Sequence, residues 1–386
     1  MIRSPLFGRR IHISGRVAAD LHNATARDVD EARELVDGLV RALVKKGANF
    51  VVPVDAEPVR PDGRAICFDW LVWTALSESM ASRPPDVPGP LAVAVQHHKN
   101  EDQIPEDMIP LWDAMRESPN VRIESAAHWN MASKRMEAQA RFGDILVALG
   151  GTEGVLFLGN LYHEAGKPVV PLGLPITGEG QGARKLYDYG LVSAQSPRLF
   201  RTRGGNPHDW INRIRHRSRQ TVLDRVRELV DLLEALAPPR AFAVRLLDPK
   251  HVDYASVQDH FDMVVQPIIE GELGYELTVV DGRQSYEYSR IDAEIFAKLH
   301  RSGVVLADIT GARPNCFIEL GYAFGRQIPT MVMGKAGGDL PFDIKTFSGL
   351  HWESTGTAAD RRRVFREHWQ AISGRPPLVS AEPLIP

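Results

Sequence analysis

Residues 143–154 read Gly143-Asp144-Ile145-Leu146-Val147-Ala148-Leu149-Gly150-Gly151-Thr152-Glu153-Gly154. An apolar strand over 145–149 delivers the chain into a glycine-rich turn, and a helix over 154–165 follows directly. The same step recurs on either side. Upstream, the pattern predicts strand 9–15, helix 26–46, strand 50–54, a helix around 66–80, strand 91–96 and helix 130–142. In the first of these helices Val29, Ala32, Leu35, Val36, Leu39 and Leu43 stand at helical spacing, and Gly47 ends it. Downstream, strand 168–172 completes the series. Alternating strands and helices imply a parallel sheet covered on both faces.

From about 178 to 205 the chain is glycine-rich and polar. A helical stretch over 206–237 follows, with Asn206 as its expected cap, Pro207 in its first turn and Pro238-Pro239 as its stop. A second alternation then begins, with strands 241–246, 275–280, 303–307 and 328–333 and helices 256–272 and 290–301. The expected architecture is α/β: two doubly wound, Rossmann-like parallel-sheet domains over 1–178 and 241–386, joined by a loop and helical connector over 179–240. The two halves share a pattern but not residues, so no solenoid repeat is present.

Composition narrows the class. The 386 residues are 44% hydrophobic and 25% charged, which suits two globular cores rather than disorder. A formal net charge of −3 gives no general attraction to nucleic acid, so none is expected as a partner. The two cysteines, Cys67 and Cys316, form neither a disulfide framework nor metal-ligand spacing. With no signal-peptide pattern and no apolar run of bilayer length, the expected setting is the cytoplasm, without membrane, metal or cofactor.

The turn after residue 149 carries the first chemistry. Backbone N–H groups of Gly150, Gly151, Thr152, Glu153 and Gly154 can approach phosphate, and a helix N-terminus favours an anion. Ser14, Gly15 and Arg16 end the first strand at the neighbouring carboxyl edge, while Lys134 and Arg135 precede the strand by one helix. Gly150-Gly151 alone is equally the mark of a tight strand–helix turn. Segment 131–173 resembles the SLOG superfamily, whose LOG phosphoribohydrolases carry Arg-Lys-x-x-Met and then Asp-x-x-x-x-x-Pro-Gly-Gly-x-Gly-Thr-x-x-Glu. Here a basic pair, Met136, Asp144 and Gly150-Gly151 match, but Val155 and Phe157 stand near the threonine and carboxylate positions. The resemblance therefore implies a pocket that binds a nucleotide messenger without cutting it.

Residues 303–325 carry the second chemistry: Gly-Val-Val-Leu-Ala-Asp-Ile-Thr-Gly-Ala-Arg-Pro-Asn-Cys-Phe-Ile-Glu-Leu-Gly-Tyr-Ala-Phe-Gly. A strand ends at Asp308, Thr310 and Gly311 make a turn, Asn315 is the expected N-cap, and Glu319 lies one turn further along. The two carboxylates are expected to converge. Glu319 interrupts a largely apolar helix, where a charge is costly unless paired or functional. The plain alternatives are a glutamate suited to a helix start and an aspartate that caps a turn. A carboxylate here can stabilise the oxocarbenium-like state of ribosyl C–N cleavage, with Glu319 as nucleophile or cation stabiliser and Asp308 orienting a hydroxyl or handling a proton.

This block resembles the nucleoside 2-deoxyribosyltransferase-like and TIR-like group, whose motif is Asp-x-Thr-Gly-x-x-Pro-Asn-x-x-x-Glu-Leu-Gly-x-Ala. The resemblance implies Glu319 as catalytic residue with Asp308, and Thr310, Gly311, Arg313, Asn315 and Arg245 as substrate contacts, the arginines meeting phosphate. Tyr254 and Asp281 are weaker candidates. Together the two resemblances imply an N-glycosidase that hydrolyses NAD or a nucleotide, is regulated by a nucleotide messenger, forms a homo-oligomer and serves bacterial antiviral defence. The alternative is a non-catalytic nucleotide-binding sensor or scaffold.

Overall fold

The computed structural model describes residues 4–85, 87, 89–96, 101–125, 131–192, 199–200, 207–217, 219–236, 238–281, 290–300, 302–326, 328–337 and 349–373. The chain divides into two compact units, Met1–Ala237 and Pro238–Glu382. Each is built on a parallel sheet with helices interspersed between strands, the α/β class expected from the alternation.

In the first unit the described strands are β1 (Arg10–Arg16), β2 (Asn49–Pro53), β3 (Ala92–Gln96), β4 (Val121–Ser125), β5 (Ile145–Gly150) and β6 (Val169–Leu172). They pair in the order β4-β3-β2-β1-β5-β6, every pair parallel. β2, β3 and β5 are buried at every residue, because helices cover both faces. Those helices include α1 (Ala26–Lys45), α2 (Asp69–Ser79), α3 (Ile109–Arg116), α4 (Met131–Phe142), α5 (Glu153–Glu164) and α6 (Gly182–Leu191). Thr25 starts α1: its hydroxyl accepts from the Asp28 N–H at 3.2 Å while the Asp28 carboxylate accepts from the Thr25 N–H at 3.3 Å.

The structure adds elements that the pattern did not disclose. β4 is an edge strand with partly exposed residues throughout, so it shows no buried run. α6 lies inside the expected glycine-rich loop and buries only Gly182, Ala183 and Gly190, which leave no apolar stripe to read. The expected connector helix is two helices, α7 (Pro207–Arg213) and α8 (Val222–Ala235). α8 packs on α1 within the first unit and is capped by Thr221, whose hydroxyl accepts from the Asp224 N–H at 3.1 Å. Asn206 lies outside the described residues. A half-buried lysine closes the end of α4. Lys167 Nζ donates to the carbonyls of Ala140, Arg141 and Gly143 at 2.7, 3.0 and 2.7 Å, and burial pulls its pKa down to about 8.

In the second unit the described strands β7 (Arg240–Val244), β8 (Glu276–Thr278), β9 (Val304–Asp308), β10 (Thr330–Lys335) and β11 (Leu350–Trp352) run in the order β11-β10-β9-β7-β8, again parallel. Helices α9 (Tyr254–His260), α10 (Ile291–His300), α11 (Pro314–Gly325) and α12 (Ala358–Ser373) pack around them. The regular helix expected over 256–272 is α-helical only to His260. Beyond it the coil widens over Phe261–Val265 and Pro267–Glu272, where the Leu273 N–H reaches the Ile268 carbonyl, five residues back, at 2.9 Å. Its inner face is nevertheless the expected one: Val257, Phe261, Val264, Val265 and Ile268 are all buried. No described helix is long and apolar enough to cross a membrane.

Strand order locates the ligand edges. In the first unit the winding reverses between β1 and β5, and in the second between β7 and β9. At such a reversal the loops that leave adjacent strands turn to opposite faces of the sheet, which favours a crevice. Gly15 shows how closely β1 and β5 meet there. It faces Leu149 in register, and a Cβ at Gly15 would lie 1.8 Å from the Leu149 carbonyl oxygen. Only glycine fits without moving backbone. Gly15→Ala is therefore expected to destabilise the first unit by about 2–4 kcal/mol, read as a lower urea midpoint at unchanged slope.

Candidate functional site

In the second unit the carboxyl ends of β7 and β8 and the flanking faces of α10 and α11 enclose a cavity of about 310 Å³. Arg245 and Asp248 enter it from the segment after β7, Asp281 from the segment after β8, and Arg313, Asn315 and Glu319 from the start of α11. The turn into α11 is tight: Gly311 and Ala312 both take positive φ, at 80° and 45°. Arg313 then holds the N-cap position in extended conformation, and Pro314 opens the helix. Asn315, expected as the N-cap, thus sits inside the first turn instead, because the proline can only begin the helix after Arg313. It lines the cavity all the same.

Glu319 is half-buried on the cavity wall, with no ion pair or side-chain hydrogen bond among the described residues. Burial pushes its pKa up to about 7. The two guanidiniums differ in kind. Arg313 is committed to Asp248 at 3.1 Å. Arg245 lies over the Phe261 ring at 4.9 Å, its Nε is buried without a hydrogen-bond partner, and it makes no ion pair among the described residues.

Asp308 is not on the cavity wall. It is fully buried: one carboxylate oxygen accepts from the Thr310 N–H at 2.9 Å and the other from the Trp352 indole N–H at 2.7 Å. Burial pushes it up to about 6 despite these donors. The Trp352 ring stacks on buried His260 at 4.3 Å and 5°, and the Thr310 hydroxyl accepts from the Lys335 N–H at 2.9 Å. Thr310 and Gly311 likewise stay off the wall, and Gly311 lies against His251. The cavity thus unites Glu319, Arg245, Arg313 and Asn315, and leaves Asp308, Thr310 and Gly311 in the scaffold around it.

At the first unit's edge, Arg16 pairs with Gly150, and the Gly151 N–H donates to the Arg16 carbonyl at 2.7 Å. Gly150 has φ of +49, and a Cβ there would lie 2.4 Å from that same carbonyl oxygen. Thr152 begins α5 without a side-chain cap, with Glu153 next and Gly154 against Met136. Ser14 is half-buried in β1. The basic pair is already engaged, Lys134 with Glu137 and Arg135 with Asp55.

Sequence reasoning missed three carboxylates here. Asp55 and Glu57 follow β2, and Asp69 opens α2. Cys67 lies among them: its backbone bridges to Arg16, its carbonyl accepts from Arg33 at 3.2 Å, and the charges of Asp69, Glu57 and Asp55 all act on its thiol. Burial, reinforced by neighbouring carboxylates, raises Glu57 and Asp69 each to about 7. Asp55 was legible as an acid just past a strand end; Glu57 and Asp69 reach the same edge only through the fold.

The class that fold and sites define is a doubly wound α/β protein with carboxylates gathered at a strand edge of each unit. Residues 6–233 match the family described as ATP nucleosidase Cap17-like, N-terminal. The chain belongs to this family. The matched stretch coincides with the first unit, so that unit is a nucleosidase-family domain. No match was found among curated proteins.

A carboxylate whose folded pKa is raised favours folding while protonated in both states and loses that contribution as pH rises through the folded value. For Glu319 the window runs from the ordinary carboxylate range up to about 7. Glu319→Gln should therefore exceed the native chain in stability at pH 8 by about 1–2 kcal/mol after solvent screening, and match it at pH 4. Melting curves across pH check this; a constant difference would refute the burial of this carboxyl.

Proposed function

We propose that the chain hydrolyses the N-glycosidic bond of a nucleotide or NAD in the second unit, with Glu319 stabilising or capturing the ribosyl cation. The family description names ATP, which makes adenine nucleotides the first substrates to test. The observation that carries the reading is the position of Glu319, an unpaired and half-buried carboxylate on the wall of a ligand-sized cavity. As the C1′–N bond breaks, its electron pair leaves with the base; adenine takes up a proton as it leaves, whereas nicotinamide departs neutral without one. A water oxygen then bonds to C1′ and gives up a proton, which for adenine balances the one taken and for NAD passes to solvent. Asp308 serves from behind, its clamp to Trp352 and Thr310 holding the turn that presents Glu319. An ionised Glu319 is required, so base release rises as pH passes through about 7.

In this reading the first unit is the sensor. A nucleotide messenger binds across Arg16, Gly150-Gly151 and the open end of α5, and regulates hydrolysis in a homo-oligomeric cytoplasmic effector of antiviral defence. The uncapped α5 terminus and the reversal of strand order between β1 and β5 support that role.

A second reading makes the first unit the hydrolase. Glu57 and Asp69, both raised to about 7 at one sheet edge, would share general acid and base roles that Val155 and Phe157 cannot fill. Chromatography of ATP and NAD reactions separates the two. The first reading expects Glu319→Gln to lower base release at least about 100-fold, with Glu57→Gln and Asp69→Asn altering only messenger response. Loss in Glu57→Gln or Asp69→Asn with Glu319→Gln unaffected would establish the second.

A further inference from the structure

We infer that two copies of the chain pair through the outer edge of β4, antiparallel and two-fold about Ile123, so that the first unit's sheet in one copy continues into that of the other. The inference gives the proposed homo-oligomer a surface and rests on that part of the reading alone, not on where hydrolysis occurs.

Three observations lead to it. First, β4 ends the described sheet with its outer backbone groups open. Ala92 stands beside Val121 in register, and its N–H donates to the Asn120 carbonyl at 3.1 Å. Alternate residues of a parallel strand bond to a given neighbour. Arg122 and Glu124 therefore turn their backbone groups toward β3, while Ile123 and Ser125 turn theirs outward. Among the described residues nothing bonds to the outward groups of these two.

Second, the edge lacks the usual guards. Exposed strand edges are commonly blunted by lysine, proline or a bulge. Residues 121–125 read Val-Arg-Ile-Glu-Ser, and the residue at the centre, Ile123, is 39% exposed.

Third, the charges of the strand complement themselves. Arg122 and Glu124 share the face covered by α4, where Arg122 lies over the Phe142 ring at 5.2 Å and Glu124 accepts from Arg141 at 2.8 Å. A two-fold axis through Ile123 sets Arg122 opposite the partner's Glu124, and Glu124 opposite the partner's Arg122. With the outward groups on Ile123, these become the non-hydrogen-bonded pairs, in which opposed side chains stand closest. The neighbouring registers that keep the bonding phase set Arg122 against the partner's Arg122, or Glu124 against the partner's Glu124. Both are repulsive.

The test follows the full chain by sedimentation velocity over a concentration series. Pairing through five residues makes a small interface, so a concentration-dependent monomer–dimer equilibrium is expected. Ile123→Pro removes an outward N–H and leaves the bonds to β3 intact, and should weaken dimerisation at least about tenfold. Arg122→Glu, which opposes two like pairs across the axis, should weaken it about tenfold. Cysteine substitution reads the register directly and keeps the test decisive if proline disturbs the fold. Under mild oxidation Ile123→Cys, which meets itself at the axis, should give a disulfide-linked dimer. Ser125→Cys, also exposed, should not, because its two copies would stand about 13 Å apart. A chain that is monomeric at every concentration overturns this surface and the homo-oligomer together. A dimer indifferent to either charge or proline substitution, or linked through Ser125→Cys as readily as through Ile123→Cys, overturns the surface alone.

Discussion

A parallel strand buried on both faces can place polar chemistry only at its ends. Within each sheet every described strand points the same way, so the carboxyl ends of that sheet share one edge, and the loops that leave it carry the ionisable groups. The apolar interior of β5 and β9 is what forces Arg16, Gly150, Asp308 and Glu319 to the positions they hold. Apart from the sealed Asp308, the acidic side chains there, among them Asp55, Glu57, Asp69 and Glu319, are partly in water and partly in protein. That intermediate setting is why so many carboxyls at these edges bind protons more tightly than in solution.

The two acids of the C-terminal motif illustrate how burial divides labour. Asp308 sits at the very end of β9, where no water reaches it, and two N–H donors satisfy its oxygens. Such a group is too thoroughly used to reach a ligand, but it links β9 to β11 and stacks the indole of Trp352 against His260. Glu319, one helical turn beyond Asn315, has no such partners and meets the cavity directly. Opposite charge could have stabilised it; instead Arg313 is held by Asp248 and Arg245 by the face of Phe261. A carboxylate left unpaired near neutrality is suited to meeting a transient cation.

The first unit reaches a similar outcome by other residues. Its glycine turn is tight because backbones of β1 and β5 nearly touch there, and much of the glycine requirement follows from that contact alone. The expected cations are also less available than their spacing suggested, since Lys134 and Arg135 have acidic partners. What distinguishes this edge is the neighbouring set of Asp55, Glu57 and Asp69 around Cys67, drawn from two separate segments.

The amino-acid sequence by itself determined the alternation of strands and helices, the division into two α/β halves and the position of Glu319 in a helix start. Apolar runs and glycine turns are local, and local patterns report local structure. Only the tertiary structure decided which ionisable groups share a site. It sealed Asp308 behind Trp352, a residue 44 positions away, and paired Arg313 with Asp248 while leaving Arg245 unpaired. It also revealed β4 and α6, which expose an edge or bury small residues and so carry little apolar signal, and β11, whose 3 residues are too few to show a period. Pairing and burial of charge depend on distances between segments far apart in the chain, and no spacing along the chain encodes them.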